Sequence, residues 1–296
     1  MKSNRVQFSI IIPIFNQRSQ LELTLKKFSL QDYPEDDYEI IVVDDGSEDM
    51  ADSFDTEWQG RFQNIKIIHQ KNSGRSAARN AGLSKAQGEY IIFCDGDRFP
   101  QCNYIRLYQD AIKENNDNPW IVYIGCPMDY YGKLKDIDDE QKVIRYSRAS
   151  KYYKKVTNLY DQNGNTSSEV DWATFLVGNS CMHSSMLRMV NGFDENFSTW
   201  GFEHFELAYR MKDKGFSFHM CPNIKNFHIP HSNGAAYYLD AMQRSVLFMQ
   251  KKHNNEKFSA LYDFLAGTIS LQTFEQEFSG NICDELREKD MIFYKL

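Results

Sequence analysis

Glu89-Tyr90-Ile91-Ile92-Phe93-Cys94-Asp95-Gly96-Asp97 is a short apolar run that ends in two acids. An apolar run of this length closed by a turn signal reads as a strand buried on both faces. Similar runs occur three times upstream, at Phe8–Ile14, Tyr38–Val43 and Asn64–His69. Between the first two, Leu21, Leu25 and Phe28 fall at i, i+4 and i+7, one face of a helix. Ala77, Ala78, Ala81 and Leu83 mark another helix ahead of Glu89. Strand–helix alternation at this spacing implies right-handed crossovers and an α/β fold, a mainly parallel sheet flanked by helices. Open sheets of this kind bind ligands at the carboxyl ends of their strands. Here those ends are Pro13-Ile14-Phe15-Asn16, Asp44-Asp45-Gly46-Ser47 and Asp95-Gly96-Asp97, so acids and amides collect where a ligand would sit.

The length of 296 residues suits one large α/β domain, or one domain with an appendage. Hydrophobic residues at 42% and charged residues at 25% exclude a mainly disordered chain. The longest largely apolar run, Phe8–Phe15, contains Pro13 and falls far short of the roughly twenty residues of a bilayer span, so no transmembrane segment is expected. Met1-Lys2-Ser3-Asn4-Arg5 leads into that run without a secretory cleavage pattern. With 34 Lys and Arg against 41 Asp and Glu, a net charge of −7, the chain lacks the concentrated basic patch that nucleic acid requires. Six scattered cysteines without a CxxC pair read as reduced thiols, and the expected location is the cytoplasm. Aromatic residues reach 14%, which fits a dense core or a cleft walled by ring faces.

Beyond Pro100 the pattern loosens. Trp120–Gly125 reads as a strand, and the polar, Tyr-rich stretch at 128–171 reads as a helical or looped excursion over the cleft. Order resumes at Ala173–Ser180. A helix follows near Glu203–Lys214, closed by Gly215, and a last strand covers about Phe216–Cys221. In the tail, Leu239, Met242, Val246 and Met249 share one helical face.

Five groups carry potential chemistry. Asp95 and Asp97, two residues apart past a buried strand, can hold a divalent cation that bridges to a diphosphate, with Gly96 permitting close approach; the alternative is a polar Asp-Gly turn. Asp44 and Asp45 can accept hydrogen bonds from a base or a ribose, or cap the next helix. Arg79 can give charge or a planar stack to a nucleotide, or be a surface arginine. In Trp200-Gly201-Phe202-Glu203-His204-Phe205-Glu206, Glu203 and Glu206 share a helix face with His204 between them. This set can supply a general base and sugar contacts, or simply an acidic first turn with Glu206 paired to Arg210. In His228-Ile229-Pro230-His231 an imidazole can ligate a cation if it lies beside Asp97.

In this order the segments resemble a glycosyltransferase of the GT-A fold, similar to family 2. Phe8–Asn16 resembles the opening strand, Val42–Ser47 the nucleotide-binding strand end, and Gly74–Asp97 the approach to the Asp-x-Asp motif. Val177–Gly234 resembles the C-terminal half of bacterial chondroitin-polymerase-type transferases. More distantly, it is similar to polypeptide GalNAc-transferases and galactosyltransferases, which share Trp-Gly-Gly-Glu before a helix. The resemblance implies a Rossmann-like GT-A catalytic domain over 1–234, with a nucleotide-binding half (1–100) and an acceptor-binding half (101–234). A helical C-terminal extension over 235–296 would follow, packing on that domain or forming the contact of a homodimer.

Position by position, the resemblance implies that Pro13, Phe15 and Asn16 line the nucleotide pocket and that Asp45, with Asp44 beside it, binds uridine. Arg79 lies near base or phosphates. Asp95 meets ribose or metal, with Gly96 next to it, and Asp97 and His228 hold Mn²⁺ or Mg²⁺ as a Lewis acid on the departing diphosphate. Trp200, Gly201, Phe202 and Glu206 fall on the acceptor or sugar side, and Glu203 or His204 is the base. The chain departs from the pattern twice. Phe202 replaces a glycine, which would narrow the space over the sugar, and His204 replaces an acid that often supplies the base in inverting relatives.

The implied reaction is transfer of a hexose or N-acetylhexosamine from a UDP-sugar to a glycan, lipid-linked or protein acceptor, with inversion. A non-catalytic nucleotide-sugar-binding module is the alternative, and a nucleotidyltransferase is disfavoured because Phe15-Asn16-Gln17-Arg18 is no glycine-rich basic loop. Lys251-Lys252-His253 is too small a basic cluster to argue for membrane binding, although a peripheral contact at the inner membrane face is compatible with it.

Overall fold

The computed structural model describes residues 6–50, 53–197, 201–230 and 235–279; Trp200, His231 and the stretch 280–296 lie outside the described residues. Strand β1 (Phe8–Ile14), helix α1 (Arg18–Phe28), β2 (Tyr38–Asp44), α2 (Ser53–Gln59), β3 (Ile65–His69), α3 (Arg75–Lys85) and β4 (Tyr90–Cys94) follow the predicted alternation. After them come β5 (Arg98–Pro100), α4 (Tyr104–Glu114), β6 (Ile121–Tyr130), α5 (Glu140–Arg145), β7 (Ser147–Ala149) and α6 (Lys151–Val156). The chain continues through β8 (Asn179–His183), α7 (Ser184–Met189), α8 (Glu203–Asp213), β9 (Ser217–His228), α9 (Ala235–His253), α10 (Phe258–Ala266) and α11 (Leu271–Ser279).

One nine-stranded sheet runs β3-β2-β1-β4-β8-β6-β9-β5, with β7 paired to β6. The first four strands in that order are parallel. β8 runs antiparallel to both of its neighbours, β6 and β9 are parallel, and the short β5 and β7 are antiparallel. Strand residues alternate between two cores. Ile10 and Ile12 of β1 and Ile92 of β4 enter one cluster, with α1 and α4. Ile11, Ile91 and Phe93 enter the other, with Trp172 and the C-terminal helices. Helices therefore cover both faces, which is why these strands read as continuous apolar runs.

Two strands extend beyond their sequence signals, and both extensions carry site residues. Gly125 and Pro127 look like the end of β6, as do Pro222 and Asn223 for β9. In the ladder, Gly125 pairs with Cys221 and Cys126 with Lys225, so a bulge on β9 absorbs the interruption and pairing resumes. The resumed register puts Asp129 directly beside His228.

The excursion is likewise more ordered than its composition implies. Tyr130, Tyr152 and Tyr153 are core residues, and only Tyr131 and Tyr146 of its tyrosines are strongly exposed. The six tyrosines do not line a cleft together.

The C-terminal helices pack on the sheet. Met242, Val246 and Met249 of α9 are buried, with Leu239 partly so. Trp172 meets Phe258 of α10 and Phe274 of α11 edge-on at 5.8 and 6.3 Å. The polar fastening of these helices is Glu206 of α8, which has no solvent exposure. Arg210 Nε donates to both of its oxygens at 2.8 and 3.0 Å, and Lys252 Nζ and His253 Nε2 of α9 reach it at 2.6 and 3.0 Å. Burial alone would raise the Glu206 pKa. The hydrogen bonds from His253 and Arg210, the Arg210 charge and Lys252 outweigh burial and lower it to about 2 from the ordinary 4.5.

A depressed carboxyl pKa contributes stability that is present above the unfolded value and lost as pH falls through the folded one, here from about pH 4.5 to about 2. The shift corresponds to about 3 kcal/mol. Glu206→Gln should therefore lower the urea midpoint at pH 7 by a comparable free energy and flatten the acid limb of stability against pH. An unchanged midpoint and acid slope would remove this fastening from the energetics.

Candidate active site

The carboxyl ends of β1, β2 and β3 are laced into one rim. Asn16, with a left-handed φ of 53°, donates its backbone N–H to Ser47 Oγ at 2.8 Å and accepts from Glu48 N at 2.8 Å. Asp44 accepts from Ser47 N at 2.9 Å and pairs with His69 Nδ1 at 2.8 Å. Asp45 accepts from Ser73 N and Gly74 N, both at 2.8 Å, and from Gln70 Nε2 at 2.7 Å. Both acids thus hold backbone, and Asp45 fixes the turn that opens α3. Phe15, 47% exposed, presents its ring on this rim.

That clamp sets the direction of Arg79, which is 2% exposed on α3. Its guanidinium donates to Asp95 Oδ1 at 3.0 Å and to Glu203 Oε1 at 2.9 Å, and lies 5.3 Å from the Phe193 ring centre. Glu203 is itself buried at the first position of α8. Burial opposes its ionisation, but the neighbouring His204 imidazole and the charges of Arg79 and Arg75 hold its carboxyl far below the usual carboxylate range. His204 Nδ1 stands 3.9 Å from Glu203 Oε1. Gly178 makes room for the assembly, since a Cβ there would lie 2.3 Å from Asp95 Oδ2.

Asp97 and His228 come together through pairing of β5 with β9, with Ile229 N bonded to Asp97 O at 3.2 Å. His228 Nε2 is 3.5 Å from Asp97 Oδ2, and its Nδ1 is 3.0 Å from Asp129 Oδ1. Burial lowers the pKa of this imidazole, and the two carboxylates raise it by more. Gln17 Nε2 also reaches Asp97 Oδ2 at 3.2 Å.

A cation bonded at about 2.1–2.3 Å to one carboxylate oxygen and one imidazole nitrogen spans a gap of 3.5 Å, so the donor pair fits Mn²⁺. Among the described residues no group of three His, Cys, Asp or Glu forms a full cage. A cation held here would take its other ligands from phosphate oxygens and water. Asp95 is turned to Arg79 and lies 3.6 Å from Arg98 Nε, so in this arrangement its carboxylate serves arginines.

Several residues occupy places the sequence does not show. Gly96 packs against β1 instead of opening space for a ligand: a Cβ there would lie 2.7 Å from Ile14 Cδ1, and its carbonyl accepts from Thr24. Phe202 does not narrow the cleft, because its ring is interior and meets Phe205 edge-on at 5.5 Å. Its φ of 72°, directly after Gly201 at 89°, explains why a glycine would suit this position. Glu206 is sealed in the ion cluster with α9 and offers nothing to a sugar. Pro13 lies in the described rim at the end of β1. Sequence reasoning missed Gln17, Arg98 and Asp129. Arg98 Nη1 is buried without a hydrogen-bond partner among the described residues. An open depression of about 820 Å³ lined by Leu83, Arg188, Asp194 and Lys252 shares only Phe193, the ring against Arg79, with this site and contains none of its charged residues.

Residues 9–175 match the model of glycosyl transferase family 2, and residues 159–232 match that of the N-terminal domain of galactosyltransferase. The uncharacterized glycosyltransferase YfnE of Bacillus subtilis is 24% identical over 83% of this chain and 70% of its own length. Chondroitin synthase of Pasteurella multocida is 28% identical over 84% of this chain, which spans only 28% of that enzyme. The solved structure of S. aureus TarS 1–349 with UDP-GlcNAc superposes with a TM-score of 0.59 at 16% identity, over 87% of this chain and 71% of that one. That likeness is one of fold.

Removing the Arg79 charge leaves Glu203 and Asp95 facing each other's field with Glu203 buried. Arg79→Met should cost about 3–5 kcal/mol by urea denaturation. Adding Glu203→Gln should recover part of that loss, because the orphaned buried charge is removed. A single variant within about 1 kcal/mol of the parent, or a double variant weaker than the single one, would rule out this pairing as the anchor.

Proposed function

The chain belongs to glycosyl transferase family 2, and on that premise we propose that it moves a hexose or N-acetylhexosamine from a UDP-sugar to a glycan, lipid-linked or protein acceptor, with inversion and with Mn²⁺ or Mg²⁺ bound. The observation that carries this reading is the convergence of Asp97 and His228, 3.5 Å apart, beside the Arg79-linked pair Asp95 and Glu203. They meet at the carboxyl ends of β1 and β4, where crossovers leave to opposite sides and α/β sheets receive nucleotides. The UDP-GlcNAc complex of a protein with the same fold supports a uridine donor.

In this reading the exposed Phe15 ring and the Asn16–Ser47 rim take the nucleoside, and Asp45 shapes that rim through the loop before α3. Asp97 and His228 would hold the cation, which would supply Lewis-acid stabilisation of the leaving diphosphate. Arg98, with its unpartnered Nη1, donates to a diphosphate oxygen. Asp95, occupied by Arg79, is left to the ribose.

His204 is the base in preference to Glu203. Against its burial, the neighbouring His204 imidazole and the Arg79 guanidinium at 2.9 Å hold the Glu203 carboxyl far below its usual range, so it has little proton affinity to offer. A neutral imidazole accepts a proton readily near pH 7. The acceptor hydroxyl loses its proton to His204 as it attacks the anomeric carbon, and UDP leaves with the electron pair of the broken bond.

A panel of UDP-sugars, read by UDP release, should show a preferred donor, with activity lost in EDTA and restored by Mn²⁺. His204→Ala should lower kcat by about 10²–10⁴ with donor KM little changed, and Glu203→Gln should lower it less. Metal-independent UDP binding with no release from any donor would leave a binding module instead. Near-normal turnover in both variants would move the base off this helix.

A further inference from the structure

We infer that Asp129 is a positioning residue for His228, holding Nδ1 so that Nε2 is presented beside Asp97 as a cation ligand. The inference rests on the metal reading proposed above and extends it to a residue outside the Asp-x-Asp turn. Three observations support it. Asp129 Oδ1 lies 3.0 Å from His228 Nδ1, whereas His228 Nε2 faces Asp97 Oδ2 at 3.5 Å, so the two ring nitrogens have separate partners. Asp129, Asp97 and His228 are largely removed from water, which strengthens a charge-assisted bond. The contact is also written into the backbone: Asp129 and His228 are register partners in the parallel β6–β9 ladder, downstream of the bulge.

The chemistry follows from the tautomer. When Nδ1–H donates to a carboxylate, the lone pair resides on Nε2, and the carboxylate makes that nitrogen more basic. Without an acceptor at Nδ1 the ring can turn or carry its proton on Nε2, and the pair of ligands that His228 forms with Asp97 would be broken. Asp129 acts through His228 and need not touch the cation or the substrate.

The test is Mn²⁺ binding, read by the loss of the free-ion electron paramagnetic resonance signal, with and without UDP. It uses the full chain and its Asp129→Asn and Asp129→Glu variants. Nitrogen coupling to the bound Mn²⁺ is the second readout, with His228→Ala as the reference for its loss. Asp129→Asn keeps the side-chain shape and should weaken Mn²⁺ binding about 10–100-fold while reducing the nitrogen coupling. Asp129→Glu, which keeps the carboxylate, should retain more affinity than Asp129→Asn and serves as the comparison if the amide variant melts early. Binding within twofold of the parent and unchanged nitrogen coupling in both variants would overturn the role of Asp129 and leave the metal reading standing. Absence of Mn²⁺ binding by the parent chain, with or without UDP, would sink the metal reading itself.

Discussion

A guanidinium buried between two carboxylates joins the two ends of the candidate site. Arg79 lies 16 residues from Asp95 and 124 from Glu203 along the chain, yet it donates to both. A charge this far from water persists only when it is paired and hydrogen-bonded. The position of α3, the acidic turn after β4 and the start of α8 are therefore coupled. Asp45 belongs to the same constraint one step back, because its bonds to Ser73 N and Gly74 N set where α3 begins. The turn that would meet the donor and the helix that would meet the acceptor are keyed to one side chain.

The second half of the site depends on strand register. β5 brings Asp97 to His228, and the bulge between β6 and β9 brings Asp129 to the same imidazole. A slip of one residue would turn these side chains to the opposite face. Lost pairing over three residues of β9 is a small cost against the placement of three titratable groups at one point. Bulges commonly sit beside active sites for this reason.

The legible part of the fold is the part buried on two faces. Ile10, Ile11, Ile12, Ile41, Val42 and Phe93 leave no doubt about their strands because each side of the sheet is covered by helices. β8 is harder to read: Asn179-Ser180-Cys181-Met182-His183 is central in the sheet but half polar, with Asn179 taken by Tyr104 and Tyr108 hydroxyls. Pro127 and Pro222 truncate the apparent strands, so Asp129 falls in what looks like loop. Asp97 and His228 are visible as chemistry, but their 3.5 Å separation depends on pairing across 131 positions, which no local pattern encodes. Phe202 and Glu206 fail in the other direction. The resemblance puts Phe202 on the sugar side, but a left-handed backbone turns it inward; the i, i+3 spacing with Glu203 offers Glu206 to a ligand, but its other reading, pairing with Arg210, is the one found, within an ion cluster with α9.

The departure at His204 has an electrostatic rationale that is independent of catalysis. Its ring nitrogen stands 3.9 Å from Glu203 Oε1. A carboxylate in that place would set two like charges at a separation where the repulsion is about 4 kcal/mol at an effective dielectric of 20. Arg79 cannot neutralise both, since it already serves Asp95 as well as Glu203. An imidazole removes the repulsion when neutral and adds attraction when it takes up a proton. If His204 is the proposed base, the positive charge it gains is stabilised by Glu203, whose carboxyl the imidazole and Arg79 together hold ionised. The buried ion pair and the histidine at 204 are thus parts of one charge arrangement: Glu203 is poorly suited to accept a proton and well suited to support a cationic neighbour.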